Sequence, residues 1–118
     1  MRDHRKLKAF HLADELVVPI YRATSGFPRY EMFGLAHQMR RAAVSVPGNI
    51  VEGCAREGHR EYLAFLNIAF GSLRELGYYI GLARKLGHLG DAQAEALTLQ
   101  QDEAARVLAG LMTSLRQR

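Results

Sequence analysis

The strongest constraint on this chain is a run of apolar residues at alternating steps of four and three: Tyr62, Leu66, Ala69, Leu73, Leu76, Ile80 and Ala83. That spacing is a heptad seam, and it predicts a helix over about residues 60–86 with one continuous stripe to bury. Leu63, Phe65, Phe70, Tyr79, Leu82 and Leu86 lie beyond the seam, so the helix is apolar around more of its circumference than one packing face needs. Such a helix is central in its bundle, or it also faces a second chain.

The remaining segments supply the partners that this helix requires. Residues 91–116 repeat the pattern with Ala94, Leu97, Gln101, Ala104, Leu108, Leu111 and Leu115, after a Gly87-His88-Leu89-Gly90 break that leaves Asp91 as the expected N-cap. Residues 7–24 present Phe10, Ala13, Val17, Ile20 and Tyr21 as one face, and Ser25-Gly26-Phe27-Pro28 stops them. Pro19 removes one backbone bond inside that helix.

Residues 30–57 carry Leu35, Met39, Ala42, Val46 and Ile50, with Glu31 in the first turn and Gly58 as the stop. Ala43, Gly48 and Gly53 are small enough to admit a neighbouring backbone. Pro47 sits mid-way, yet the periodicity passes through it without a change of phase, which predicts one bent helix. No segment alternates with the period of a strand. Four helices with short connections predict an all-α, antiparallel up-down-up-down four-helix bundle, with residues 1–118 as a single domain.

The composition fits that reading. A chain of 118 residues that is 48% hydrophobic can close a core without staples, and its one cysteine, Cys54, makes neither an intrachain disulfide nor a Cys-rich zinc site. The longest apolar stretch, Tyr62 to Leu73, falls well short of the ~20 residues of a spanning helix. The charged start, Arg2 to Lys6, is followed by Lys8, Asp14 and Glu15 in place of the apolar core of a signal peptide, so a cytoplasmic location is expected.

Charge is unevenly placed. Residues 1–60 hold ten basic against six acidic side chains, the second half six of each, and thirteen of the sixteen cations are arginine. Arginine favours bidentate contact with carboxylates or phosphates. Arg5, Lys6, Lys8, Arg56 and Arg60 are the candidate nucleic-acid contacts, while Arg40 and Arg41 are divided between contact and structural pairing.

On a helix at ~100° per residue, Gln38, Arg41, Ser45, Asn49, Glu52 and Arg56 share one narrow arc. Three readings are open: a solvated face, a buried or subunit-bridging polar network, and a surface for phosphates. Glu75, between Leu73 and Leu76, is expected to be costly to bury alone and to pair with Arg40 or Arg41.

Catalytic groups are sparse. His4, His11, His37, His59 and His88 lack a metal-ligand spacing and read as surface or boundary residues; Cys54 has no base beside it and reads as a buried thiol. Asp14-Glu15 and Asp102-Glu103 are adjacent pairs that diverge on a helix. No phosphate loop is present, and the aromatics lie on core stripes. No enzyme, cofactor or metal is expected.

The run Gln38-Met39-Arg40-Arg41-Ala42-Ala43-Val44-Ser45-Val46-Pro47-Gly48-Asn49-Ile50-Val51-Glu52-Gly53, then Phe65-Leu66-Asn67-Ile68-Ala69-Phe70-Gly71-Ser72-Leu73-Arg74-Glu75-Leu76, resembles a known signature. It is that of the four-helix bundle proteins encoded in intervening sequences of bacterial 23S rRNA genes. Phe27-Pro28, Glu31, Gly34 and Leu35 are similar too, and related bundles are accessory variability proteins of diversity-generating retroelements. The resemblance implies a homopentamer of four-helix protomers with basic surface offered to RNA or DNA. It places Arg40 and Arg41 on the motif arginines, and Ser45, Asn49, Glu52, Ser72 and Glu75 on its polar positions. Gly77 departs from it, standing where a second glutamate is common, and Gly48 stands where serine is. The expected function is therefore a non-enzymatic homo-oligomeric bundle that binds nucleic acid, the rival being an assembly scaffold for a protein, with a reverse transcriptase as the first partner to test.

Overall fold

The computed structural model describes residues 2–118, and its seam folds as one helix, α3 (His59–Lys85), with Tyr62, Leu66, Ala69, Leu73, Leu76, Ile80 and Ala83 all buried. Its neighbours are α2 (Leu35–Cys54) and α4 (Asp91–Arg116), and α1 (Lys8–Ser25) packs on the same two. Consecutive helices are thus adjacent, α1 lies diagonally across from α3, and the four form an antiparallel bundle of 45 × 23 × 19 Å. Among the described residues there is no strand. Among the described residues no helix is long and apolar enough to cross a membrane.

Part of the surplus apolar character of α3 is accounted for at its flanks. Leu63, Phe70, Tyr79 and Leu82 are half-buried against the core, while Leu86, expected with them, is exposed. On α1 the buried stripe is Ala9, Ala13, Leu16, Ile20 and Ala23. Phe10 and Val17 are half-buried and Tyr21 is exposed, so the predicted face was offset by about one position. Both prolines lie inside continuous helices, Pro19 in α1 and Pro47 in α2.

The ends of the second segment differ from expectation. Residues 29–31 form a separate 3₁₀ turn, and α2 begins only at Leu35, after a backbone at Gly34 (φ −107°, ψ −117°) that no helix continues through. At the other end α2 stops at Cys54, and Gly58 precedes α3 as its N-cap instead of closing α2. Asp91 is not an N-cap. Gly90 takes that position, and Asp91 accepts from Arg84 Nε at 2.9 Å across the turn. Gly26 caps α1 in a right-handed conformation, whereas Gly87 (φ +80°) turns the chain after α3. There the His88 N–H donates to the Ala83 carbonyl and the Gly87 N–H to that of Arg84, which is the Schellman pattern.

One polar side chain is sealed into the core beside α3. Gln101 on α4 is 3% exposed and donates from Nε2 to the Leu73 carbonyl at 3.0 Å. Gly77 makes room for it: a Cβ there would lie 2.8 Å from the Gln101 amide carbon. The glutamate that the resemblance expects at position 77 is thus replaced by a gap that an amide from the facing helix fills.

Gly77→Ala is expected to lower stability by about 1 to 3 kcal/mol, although alanine is the better helix former by about 1 kcal/mol. In a Gln101→Ala background the same replacement becomes neutral or stabilising. Denaturant titrations of the two single variants and the double measure this coupling. Additive costs would contradict the contact.

Candidate nucleic-acid interface

Antiparallel folding brings three chain segments to one end of the bundle: the start of α1, the α2–α3 connection and the end of α4. Arg2 ties the first two together. Its backbone N–H donates to the Cys54 carbonyl at 3.0 Å, its guanidinium donates to the Arg56 carbonyl at 2.9 Å, and that guanidinium lies 4.0 Å over the Tyr62 ring. Residues 2–8, 52–61 and 116–118 carry eight cations against Asp3, Glu52, Glu57 and Glu61, an excess of four that equals the net charge of the chain.

The predicted contact residues divide into free and engaged groups. Lys6, Lys8 and Arg60 are exposed. Arg5 is exposed as well and pairs at 2.9 Å with Asp3, whose carboxyl those hydrogen bonds hold down at about 2. Arg56 is half-buried: it pairs with Glu52 at 2.7 Å and lies 4.8 Å over the Phe65 ring. Arg40 faces inward along α1, donating from Nε to Thr24 Oγ1 at 2.8 Å and from Nη2 to Ser25 Oγ and the Tyr21 carbonyl. A cation near the C-terminus of α1 suits the negative end of its dipole. Arg41 is exposed, lower on the shared stripe.

The stripe on α2 is only partly a network. Ser45 Oγ and Ser72 Oγ are 2.9 Å apart, and Asn49 Nδ2 donates to the Ser45 carbonyl and hydroxyl at 2.8 and 2.9 Å. Gln38, Arg41 and Glu75 line the same shallow cleft of about 170 Å³ between α2 and α3. The predicted ion pair is absent: Glu75 has no salt bridge to Arg40 or Arg41 among the described residues, and being exposed on α3 it is not a charge left unpaired in the core. Tyr79, beside it, is raised above the usual phenol value, first by burial and then by its hydrogen bond with Glu75. Gly48, expected to admit a neighbouring backbone, is exposed, and a Cβ there would meet nothing within 4 Å.

Among the described residues, the most buried contact between a carboxylate and a basic side chain is one that sequence reasoning missed. At the opposite end of the bundle, His88 Nε2 lies 2.8 Å from Glu31 Oε2, with the two side chains 6% and 15% exposed. Glu31 Oε1 accepts the Leu35 N–H at 3.2 Å, so the carboxylate also caps α2 from before its first turn. Phe27 and Tyr30 pack on the His88 ring. The Leu35 N–H, and after it His88, hold the Glu31 carboxyl below the usual carboxylate range.

Cys54 fits the buried-thiol reading: it is sealed from solvent, and burial pushes its thiol up, which is the reverse of an activated nucleophile. Burial also pushes the neighbouring Tyr62 phenol up to about 12. Among the described residues no three His, Cys, Asp or Glu side chains gather as a metal site.

A lowered carboxyl contributes stability above its unfolded value of 4.5 and loses it as pH falls through the lower folded value. Glu31→Gln is therefore expected to melt earlier than the parent at pH 7, and the gap should close progressively below about pH 4.5. Thermal melts across that range check it. A gap that is independent of pH would show that the charge on Glu31 does not matter.

The fold agrees with what the chain resembles. A crystal structure of a protein of unknown function from the S23 ribosomal protein family of Bacteroides thetaiotaomicron VPI-5482 superposes with a TM-score of 0.82 at 20% identity, covering 89% of this chain and 95% of that one. At that identity it speaks for the four-helix fold alone. No curated protein matches the chain significantly. The profile described as "23S rRNA-intervening sequence protein" matches residues 5–110. The chain belongs to the 23S rRNA-intervening sequence protein family.

Proposed function

We propose that this chain is the protomer of a non-enzymatic homo-oligomer that binds RNA or DNA through the basic end of its bundle. The observation that carries the reading is the gathering of exposed Arg5, Lys6, Lys8, Arg60, Arg116 and Arg118 at that end, from segments far apart in sequence. Phosphate contact by such a patch releases counterions, so binding weakens steeply with salt and reads little sequence. Arg40 drops out of the contact set, since its guanidinium is already engaged by α1.

Self-association is supported by the outward surfaces of α2 and α3. Val44, Val51, Ile68 and Tyr78 are exposed there, and a Cβ at Gly48 or Gly71 would meet nothing within 4 Å, which leaves room for a second chain. The family resemblance sets the expected number of copies at five. Tyr30, Met32 and Phe33, exposed together beside the Glu31 clasp, favour the second reading, a scaffold that docks a protein such as a reverse transcriptase.

Fluorescence anisotropy with a labelled RNA or DNA tests the first reading. With about four phosphate contacts per site, affinity should fall roughly a hundredfold between 50 and 200 mM salt. Arg60→Ala and Arg116→Ala should each weaken binding and flatten the salt slope by about one unit. Affinity that is absent at low salt, or indifferent to salt, would sink the proposal. Sedimentation should give a single oligomer that Ile68→Arg converts to folded monomer; a parent that sediments as monomer would remove the self-association.

A further inference from the structure

Resting on the nucleic-acid reading above, we infer that the partner of the basic end is a base-paired duplex, gripped by its phosphates without contact to its bases. The first argument is the availability of aromatic faces. Binding of single strands draws about 1 to 3 kcal/mol per base from stacking on exposed rings. Every Phe and Tyr ring at this end is occupied. Tyr62 is 2% exposed beneath the Arg2 guanidinium, Phe65 lies under Arg56, and Phe10 is flanked edge-on by His4 and His11. The exposed Phe and Tyr rings are elsewhere, while the smaller imidazoles of His11 and His59 are exposed at this end: Tyr30 and Phe33 belong to the α1–α2 connection at the opposite end of a 45 Å bundle. Tyr78 lies eighteen residues along α3 from Arg60, about 27 Å away at 1.5 Å per residue.

The second argument is the shape of the charge. The exposed cations come from the N-terminal segment, the α2–α3 connection and the C-terminus of α4, so they are spread over an end whose cross-section is 23 × 19 Å. They do not line a channel; the depression there, bounded by Arg2, Asp3, His4 and Arg5, is wide open to solvent. A broad patch meets charge best where charge is dense in two dimensions. A duplex presents one phosphate per about 1.7 Å of axis, so about twelve fall within the roughly 20 Å that this end spans, on two strands. A single strand presents fewer phosphates over the same length, along one line.

Phosphate contacts position a partner and carry no sequence information, so binding should follow backbone geometry and not sequence.

The test uses the full chain and fluorescence anisotropy at about 50 mM salt, with roughly 20-base-pair RNA and DNA duplexes of two unrelated sequences, and unstructured single strands of equal length. Duplexes are expected to bind at least about tenfold tighter than single strands, with the two sequences equal within about twofold and the salt slope steeper for duplex. The RNA and DNA arms report which backbone is preferred, and tight binding of either supports the inference. Lys8→Ala combined with Arg60→Ala should weaken duplex binding, and Tyr30→Ala should leave it unchanged. Single strands binding as tightly as duplexes, or strong discrimination between the two duplex sequences, would overturn the duplex inference while leaving nucleic-acid binding intact. Failure to bind any of these probes at low salt would overturn both.

Discussion

Everything in this bundle is arranged around the need to cover one stripe of α3. Leu66, Leu73, Leu76 and Ile80 have no measurable exposure, and burying each is worth about 1.5 to 3 kcal/mol. That gain is set against the conformational entropy lost on folding, so losing even one of these side chains weighs heavily against a net stability of about 5 to 15 kcal/mol. No single helix can cover that stripe, so α2 and α4 flank it and α1 closes the ring from the far side. Gly53 and Gly77 mark the places of closest approach. A Cβ at Gly53 would lie 2.9 Å from Phe65, and one at Gly77 would strike Gln101.

Covering α3 in this way makes the two ends of the molecule chemically different. One end is closed by a clasp in which Glu31 caps α2 and pairs with His88, and the exposed Tyr30 and Phe33 project beside it. The other end gathers the whole net positive charge around a strap made by Arg2. The polar stripe of α2 runs along the wall between them. Its members serve different ends: Ser45, Asn49 and Ser72 bond across the α2–α3 contact, Glu52 and Arg56 pair within α2's last turns and the connection, and Arg41 and Glu75 face solvent.

Much of this was legible in the sequence because it depends on period alone. The seam of α3 and the pattern of α4 identify buried residues almost one for one, and the bundle follows from having four such segments with short links. What could not be read depends on partners distant in the chain. The start of α2 is set by Glu31, which is fixed by His88, 57 residues away. Glu75 looks buried because its sequence neighbours are, yet it points outward. Arg40 and Arg41 are adjacent and alike, and only the packing of α1 separates a structural arginine from a free one. The charge of the second half sums to zero, which hid Arg116 and Arg118; antiparallel folding brings them to the same end of the bundle as Arg5 and Arg60.

The proposed function places nucleic-acid contact at the basic end and not along the wall or at the clasp. Hydrogen–deuterium exchange with and without a saturating duplex locates the contact most directly. The account predicts added protection in residues 2–8, 56–62 and 112–118, with the α1–α2 connection around Tyr30 and Phe33 unchanged. Protection confined to that connection, or to the outward surfaces of α2 and α3, would contradict it.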